Sequence, residues 1–220
     1  MNQTRKLVRR SPHRRVGLIS CPWLQTAQIE YESLLEKSFV RIALLCPFVR
    51  TIKSQPFRLQ LSDGKSYTPD YLLSCLGSEQ VVIEVKPQVF IAKHKNRLDE
   101  AKHILEQNGY TFLICSDRSI HFNNRHEKAS LFLRYARSTE VDKHIDLLRS
   151  DTGQISFPQS LESICYRLGL DKYQVMGLIG RRELFLHPDF NTNSIFDIDT
   201  YKKDSRDESI SPESWLNYSR

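Results

Sequence analysis

Two carboxylates and one amine stand out in the segment from Tyr67 to Lys86. Glu84 and Lys86 are two residues apart, so on a β-strand their side chains project from the same face. Asp70 falls on the preceding predicted strand, where it can lie opposite them. Placing such charges at the end of an otherwise apolar hairpin costs free energy unless a cation or a substrate balances them. Asp70, Glu84 and Lys86 are therefore candidates for a functional site.

Metal-assisted phosphodiester hydrolysis is the chemistry that suits these residue types. Carboxylate oxygens are hard donors that bind Mg²⁺ while the ion keeps some of its water. Bound Mg²⁺ polarises a phosphate and helps to form hydroxide, and Lys86 can orient that water or balance developing charge. The alternative is a surface hairpin in which Glu84 and Lys86 form a same-face ion pair, because so short a pattern also arises by chance.

Three short strands are predicted to position these residues. Apolar Phe57, Leu59 and Leu61 alternate with polar residues, which indicates a half-buried strand. A turn at residues 62–65 follows, with Gly64 suited to positive φ. Residues 67–73 predict a second strand, residues 76–79 a turn, and residues 81–85 a third strand. The third is almost wholly apolar, which is typical of a central strand covered on both faces.

A helix from about Ser33 is predicted by apolar residues at Leu35, Phe39 and Ala43. Ser33 and Glu36 have the spacing of a capping box, in which Glu36 accepts a hydrogen bond from the Ser33 backbone N–H. The same glutamate could instead contribute to a metal site, with Glu32, one turn earlier, as the other candidate. The sequence leaves both roles of Glu36 open.

A basic stretch follows Lys86 and includes Lys93 and Lys95, which could meet phosphates or simply begin a solvated helix. That helix is predicted to start at Asn96 and to end at Asn108-Gly109. Residues 110–115 predict another buried strand, and the strand–helix–strand order predicts a right-handed crossover with a parallel strand pair. Helical patterns continue at about 126–137 and 139–149. The chain has no Gly-rich phosphate loop, so a nucleotide cofactor is not expected.

The net charge of +6 is concentrated at the N-terminus. Residues 1–15 carry no acidic residue, and subtracting their six cations from the total of 32 leaves 26 basic residues against 26 acidic ones. We expect this arm to contact the DNA backbone, because clustered cations neutralise phosphates and release counterions. The six are Arg5, Lys6, Arg9, Arg10, Arg14 and Arg15.

The remaining composition indicates a protein of the cytoplasm. We expect neither a signal peptide nor a membrane helix, since no long apolar span is present. Five scattered cysteines without a C-x-x-C motif favour reduced thiols over a disulfide framework or a zinc site.

A second domain is predicted after residue 151. Two short helical patterns at 161–168 and 173–179 precede a possible small hairpin at 183–186 and 194–198, an order typical of a helix-turn-helix with a wing. Because the second helix has few basic residues, protein docking is favoured over DNA binding there. We expect four segments: a basic arm (1–15), a nuclease domain (16–150), a winged-helix-like domain (151–200) and a polar disordered tail (201–220). In the tail, Trp215 and Tyr218 could anchor a partner.

Several short motifs in order resemble those of a known nuclease family. Pro69-Asp70 and Glu84-Val85-Lys86 resemble the PD-(D/E)-x-K nuclease signature. With Tyr31–Glu36, Gln55-Pro56, Tyr67-Thr68 and Pro87, the ordered set resembles the TnsA-like endonucleases of heteromeric cut-and-paste transposases, over about residues 15–137. The similarity after residue 137 is weaker.

This resemblance implies an α/β fold of restriction-endonuclease type, with a mixed sheet flanked by helices and a winged-helix-like C-terminal domain. It implies that Asp70 and Glu84 hold one or two Mg²⁺ ions, for which Mn²⁺ can substitute. Glu36 would be the third carboxylate, the Val85 carbonyl an accessory ligand and Lys86 the residue that positions the attacking water.

The implied activity is cleavage of one strand at each transposon end by a prokaryotic, cytoplasmic, DNA-associated protein. The implied partners are transposon-end DNA, a separate transposase subunit that cuts the other strand, and an AAA+ ATPase regulator. Two alternatives remain: a stand-alone restriction or junction-resolving nuclease of the same fold, and a non-catalytic DNA-binding scaffold.

Overall fold

The computed structural model describes residues 16–151, 156–200 and 211–218. The six cations of the basic arm, Arg5, Lys6, Arg9, Arg10, Arg14 and Arg15, lie outside the described residues. The strands are β1 Gly17–Cys21, β2 Gln25–Tyr31, β3 Val49–Ser54, β4 Leu59–Gln60, β5 Ser66–Tyr67, β6 Tyr71–Cys75, β7 Gln80–Val85, β8 Thr111–Cys115, β9 Leu184–Leu186 and β10 Ile195–Asp197. The helices are α1 Leu34–Leu45, α2 Gln88–Ile91, α3 Lys95–Gln107, α4 Asp117–His121, α5 Arg125–Tyr135, α6 Val141–Ser150, α7 Leu161–Leu168, α8 Lys172–Gly180 and α9 Pro212–Leu216.

A four-stranded mixed sheet in the order β3-β6-β7-β8 forms the centre of the fold, flanked by helices. β6 runs antiparallel to both β3 and β7, whereas β8 is parallel to β7, with Val85 opposite Cys115. The mixed α/β sheet and the parallel pair therefore confirm the sequence-based expectation. The parallel pair arises because α3 connects β7 to β8 as a crossover.

The central strand β7 is covered on both faces, as its apolar sequence predicted. Val81, Ile83 and Val85 belong to the main apolar cluster, which includes the buried face of α1. Val82 points the other way, into a second cluster with Leu98 and two further apolar residues of α3. Because side chains alternate along a strand, Glu84 and Lys86 share the face of Val82.

Several boundaries differ from the sequence-based predictions. The strand expected over residues 57–61 is only the two-residue β4, Leu59–Gln60. The predicted strand at 67–73 is interrupted at Thr68-Pro69-Asp70, since proline lacks the N–H that a ladder needs. The helix α3 begins at Lys95 rather than after a cap at Asn96. The chain enters α3 from α2 through a 3₁₀ turn at Ala92–His94, and His94 occupies the N-cap position without a side-chain hydrogen bond.

The C-terminal region packs on the sheet domain through α8, which lies against α5. Gly180 permits this approach, because a Cβ there would stand 2.2 Å from the Phe132 carbonyl oxygen. The predicted helices α7 and α8 and the antiparallel hairpin β9–β10 are present. A winged-helix arrangement remains a prediction.

Part of the tail that was expected to be disordered is ordered, since residues 211–218 are described and contain the helix α9. Residues 201–210 and 219–220 lie outside the described residues. Trp215 is only 1% exposed and packs against Phe190 and the guanidinium of Arg125. Arg125 also donates to the Trp215 carbonyl oxygen at 2.6 Å. Trp215 is thus a core residue here, and the expectation that it anchors a partner was wrong for this arrangement.

None of the helices in the described ranges is long and apolar enough to cross a membrane. All five cysteines are free, and four of them are buried. Burial raises the pKa of the Cys46 and Cys115 thiols to about 12.

Candidate active site

The start of β6 and the end of β7 meet at one end of the sheet, because these strands are antiparallel with Tyr71 opposite Ile83. Asp70 immediately precedes β6. Its N–H donates to the Ile83 carbonyl oxygen at 3.1 Å, and its Oδ2 accepts from the Val85 N–H at 2.7 Å. These two hydrogen bonds hold Asp70 beside the strand end that carries Glu84.

Glu84 is buried, with 6% exposure, and both of its oxygens accept hydrogen bonds. Oε2 accepts from the Tyr67 hydroxyl at 2.6 Å, and Oε1 lies 2.6 Å from the Lys86 Nζ. The predicted same-face placement of Glu84 and Lys86 is therefore present. Burial, and then the Glu84 charge, raises the pKa of Tyr67. Tyr67 thus remains a phenol, able to donate to the carboxylate.

Glu36 joins this region from α1. Ser33 caps the helix, its Oγ accepting from the Glu36 N–H at 3.1 Å. The glutamate side chain accepts from the Ser33 hydroxyl and from the Glu32 N–H, both at 2.8 Å, rather than from the predicted Ser33 N–H. It also accepts from the Tyr71 hydroxyl at 3.4 Å, and Tyr71 is the residue after Asp70. Glu36 therefore caps α1 and also faces the sheet edge.

The charges of Glu84 and Glu36 both act on Asp70. The pKa of Asp70 is raised well above its ordinary value, first by burial and then by the charges of Glu84 and Glu36. The Val85 N–H and the Lys86 ammonium offset part of that effect. Burial also raises the pKa of Glu36. The site thus favours uptake of positive charge, which a proton or a metal cation can supply.

Within the described ranges, no three His, Cys, Asp or Glu side chains are grouped closely enough to hold a metal ion as they stand. The carboxylate oxygens instead accept from protein donors: Val85 for Asp70, Tyr67 and Lys86 for Glu84. The donor set nevertheless fits a hard divalent cation, since it consists of carboxylates whose repulsion such a cation would relieve. Val85, the predicted backbone ligand, lies at the same strand end.

The predicted phosphate contacts Lys93 and Lys95 lie on the exposed segment that follows α2. Lys95 forms an ion pair with Asp99, one turn further along α3. Neither lysine contacts the carboxylates in the hydrogen bonds and ion pairs observed. Arg97 does support the site, since it donates to the Ser66 carbonyl oxygen at 2.6 Å and lies 5.6 Å from the Tyr67 ring centroid.

Three positioning residues were not assigned from the sequence. Tyr67 anchors Glu84, and Tyr71 connects Asp70 to α1, because its ring stacks on Phe39 with centroids 5.8 Å apart. Gln55 adopts a positive φ of 41°, and its N–H donates to the Asp70 carbonyl oxygen at 2.8 Å. Tyr67 and Gln55 lie within the motifs that carry the family resemblance. Their place in those motifs, close to Asp70, was the sequence signal that could have identified them as site residues.

Comparison with known proteins places the chain in no family. No protein-family model matches it, and no curated protein sequence does. The arrangement around Asp70 and the order of the short motifs are the features that bear on its function.

Proposed function

We propose that this protein is a metal-dependent DNA endonuclease with its active site at Asp70, Glu84, Lys86 and Glu36. The observation that carries the proposal is the position of Asp70, Glu84 and Lys86 at one end of the sheet, where the charges of Glu84 and Glu36 both act on the buried Asp70. These two charges make an ionised Asp70 costly in the fold unless a cation is taken up, which favours a functional role over a purely structural one.

Each residue has a distinct role in the proposed site. Asp70 and Glu84 would hold Mg²⁺, with Glu36 as a third carboxylate and the Val85 carbonyl as an accessory ligand. When bound, Mg²⁺ supplies Lewis acidity to a phosphate oxygen and acidifies bound water. Lys86, 2.6 Å from Glu84, can donate to a water or phosphate oxygen next to that carboxylate.

Tyr67 keeps the orientation of Glu84, because it donates to Oε2 from a buried position. The β4–β5 hairpin that carries Tyr67 is itself held by Arg97. Tyr67 also belongs to the second apolar cluster, so the residue that orients Glu84 is fixed by core packing.

The more specific proposal is that the chain is the endonuclease subunit of a heteromeric, prokaryotic transposase and cuts one strand at each transposon end. The ordered motifs quoted above support it. The partners would be transposon-end DNA, a separate transposase subunit and an AAA+ ATPase regulator. The C-terminal region would be a winged-helix-like module that docks a protein partner.

Strand-specific cleavage of transposon-end DNA, with and without the partner transposase, tests this function. We expect Mg²⁺- or Mn²⁺-dependent nicking of one strand, and its loss in Asp70→Asn. Asp63→Asn provides the matched control, since Asp63 is an exposed carboxylate in the turn between β4 and β5.

The outcomes separate the alternatives. Cleavage of linear or branched DNA without any partner would favour a stand-alone restriction or junction-resolving nuclease. If Asp70→Asn cleaves as well as the unaltered protein, the nuclease proposal fails and the scaffold alternative replaces it.

A further inference from the structure

A cleft outside the carboxylate site lies between α1, α5 and the β1–β2 hairpin. It has a volume of about 380 Å³. One wall carries Lys37 and Arg41, one helical turn apart on α1; the other carries Arg134 and Arg137, at the end of α5. Lys37 and Arg41 are neighbours on the surface of α1, because they are four positions apart, whereas Arg137 lies in the turn that follows α5. Each wall therefore presents a pair of cations.

The charge of this cleft is of one sign. Four cationic side chains line it, and no carboxylate does within the described parts of the chain. The pKa of Arg41 is lowered, chiefly because its guanidinium is partly desolvated and to a smaller extent because Arg137 lies nearby. Like charges held together in this way are relieved when an anion binds between them.

The basic surface is longer than one small anion requires. An adjoining cavity shares Ser20, Trp23 and Arg137 with the cleft and extends it to Arg181. Arg181 is partly neutralised by Asp142 at 3.3 Å, so the strongest positive charge stays in the cleft itself. An extended row of cations matches a polymer of regularly spaced anions better than a single phosphate.

Two features of the sequence relate the cleft to the proposed nuclease. Lys37 directly follows Glu36, so the cleft begins one residue from a carboxylate of the site. Residues 1–15, with six cations and no acid, lead directly into β1, whose Leu18, Ile19 and Cys21 line the cleft. The chemistry of these segments points to one polyanion as their common ligand.

We infer that the cleft of Lys37, Arg41, Arg134 and Arg137 binds the phosphate backbone of DNA. This inference rests on the proposed nuclease function, for which it supplies a way to hold the strand. Because contacts to phosphates carry no base information, the binding is independent of sequence. It is also strongly dependent on salt.

Fluorescence anisotropy with a labelled duplex, and with the matching single strand, tests this inference in EDTA, where no metal-dependent cleavage occurs. Lys37→Gln/Arg134→Gln should flatten the slope of log affinity against log salt by about 0.9 per lost duplex contact, hence about 1.8, or about 1.4 on a single strand. The affinity at low salt should fall at least about tenfold. Lys102→Gln/Lys143→Gln removes two exposed cations from α3 and α6 as the matched control and should bind like the unaltered protein.

An unchanged slope in a folded double variant, or an equal loss in the control, would overturn the assignment. The assignment to DNA would also be overturned if polyglutamate displaced the labelled DNA as effectively as an unlabelled duplex does. If circular dichroism shows that the double variant is unfolded, Arg134→Gln alone should give half of the slope change, since Arg134 is exposed.

The nuclease proposal is judged separately, by cleavage in Mg²⁺. If the unaltered protein cleaves normally and the cleft variant binds DNA undiminished, the cleft proposal is rejected and the nuclease proposal stands. If the cleft variant binds DNA more weakly but no preparation cleaves DNA, the cleft proposal stands and the nuclease proposal is rejected.

Discussion

Asp70→Asn should make the metal-free protein more stable at neutral pH. In the unaltered protein, burial and the charges of Glu84 and Glu36 hold the pKa of Asp70 well above its ordinary value of 3.8. Keeping Asp70 ionised in the fold therefore costs free energy. Asparagine is neutral and nearly isosteric, and its side-chain carbonyl can still accept from the Val85 N–H, now 2.7 Å from Asp70 Oδ2.

The size of the effect follows from proton linkage. Well below pH 3.8 the carboxyl is protonated in both states, so Asp70 contributes no difference in stability there. Between that pH and the higher folded-state pKa, the folded protein binds more protons than the unfolded chain. The free energy of unfolding therefore falls with rising pH by up to about 1.4 kcal/mol per pH unit. The variant lacks this contribution, so its advantage should grow with pH and then level off.

Urea unfolding at a series of pH values, followed by tryptophan fluorescence, measures this difference. Glu36 is present in both proteins, so its own raised pKa largely cancels in the comparison. Mg²⁺ at about 100 times its dissociation constant should stabilise the unaltered protein by about 2.7 kcal/mol, and Asp70→Asn much less. A variant that is less stable at neutral pH, or a difference that does not change with pH, would refute the reasoning.

Four further predictions concern the supporting elements. Glu36→Gln keeps a side chain able to cap α1 but loses the negative charge, so cleavage should fall or require more Mg²⁺; normal cleavage at limiting Mg²⁺ would remove Glu36 from the site. Tyr67→Phe removes a hydrogen bond to the buried Glu84 and should lower the free energy of unfolding, measured in urea, by about 1.5–3 kcal/mol. An unchanged free energy of unfolding would show that this hydrogen bond is absent. Trp215→Ala should destabilise the protein by about 3–5 kcal/mol, because the ring fills the core beside Phe190; an unchanged unfolding midpoint would show that α9 does not dock. Deletion of residues 1–15 should flatten the salt dependence of DNA binding by up to about 5 in log–log slope, and an unaltered slope would mark the arm as a passive segment.

Local patterns predicted the elements whose signals lie within a few residues. The continuous apolar run of β7 required cover on both faces, and the Ser33 cap and the turn at Gly64 depend only on neighbouring atoms. The alternation of strand side chains was enough to place Glu84 and Lys86 on one face. In the structure the Lys86 Nζ lies 2.6 Å from the Glu84 Oε1. The mixed sheet and the parallel partner of β7 followed from the order of strand, helix and strand.

Tertiary packing decided which groups meet at the site. Nothing within the segment around Glu84 specifies that the Tyr67 hydroxyl, from a separate two-stranded hairpin, satisfies one of its buried oxygens. The Glu36 carboxylate accepts from the Glu32 N–H rather than from the predicted Ser33 N–H, and the same oxygen also accepts from Tyr71, which stacks on Phe39. The sequence places Trp215 in a polar tail, yet Arg125 and Phe190, distant in the chain, form its pocket. Such contacts depend on strand register and on helices packed across long sequence separations, so their energies are set by the assembled fold rather than by adjacent residues.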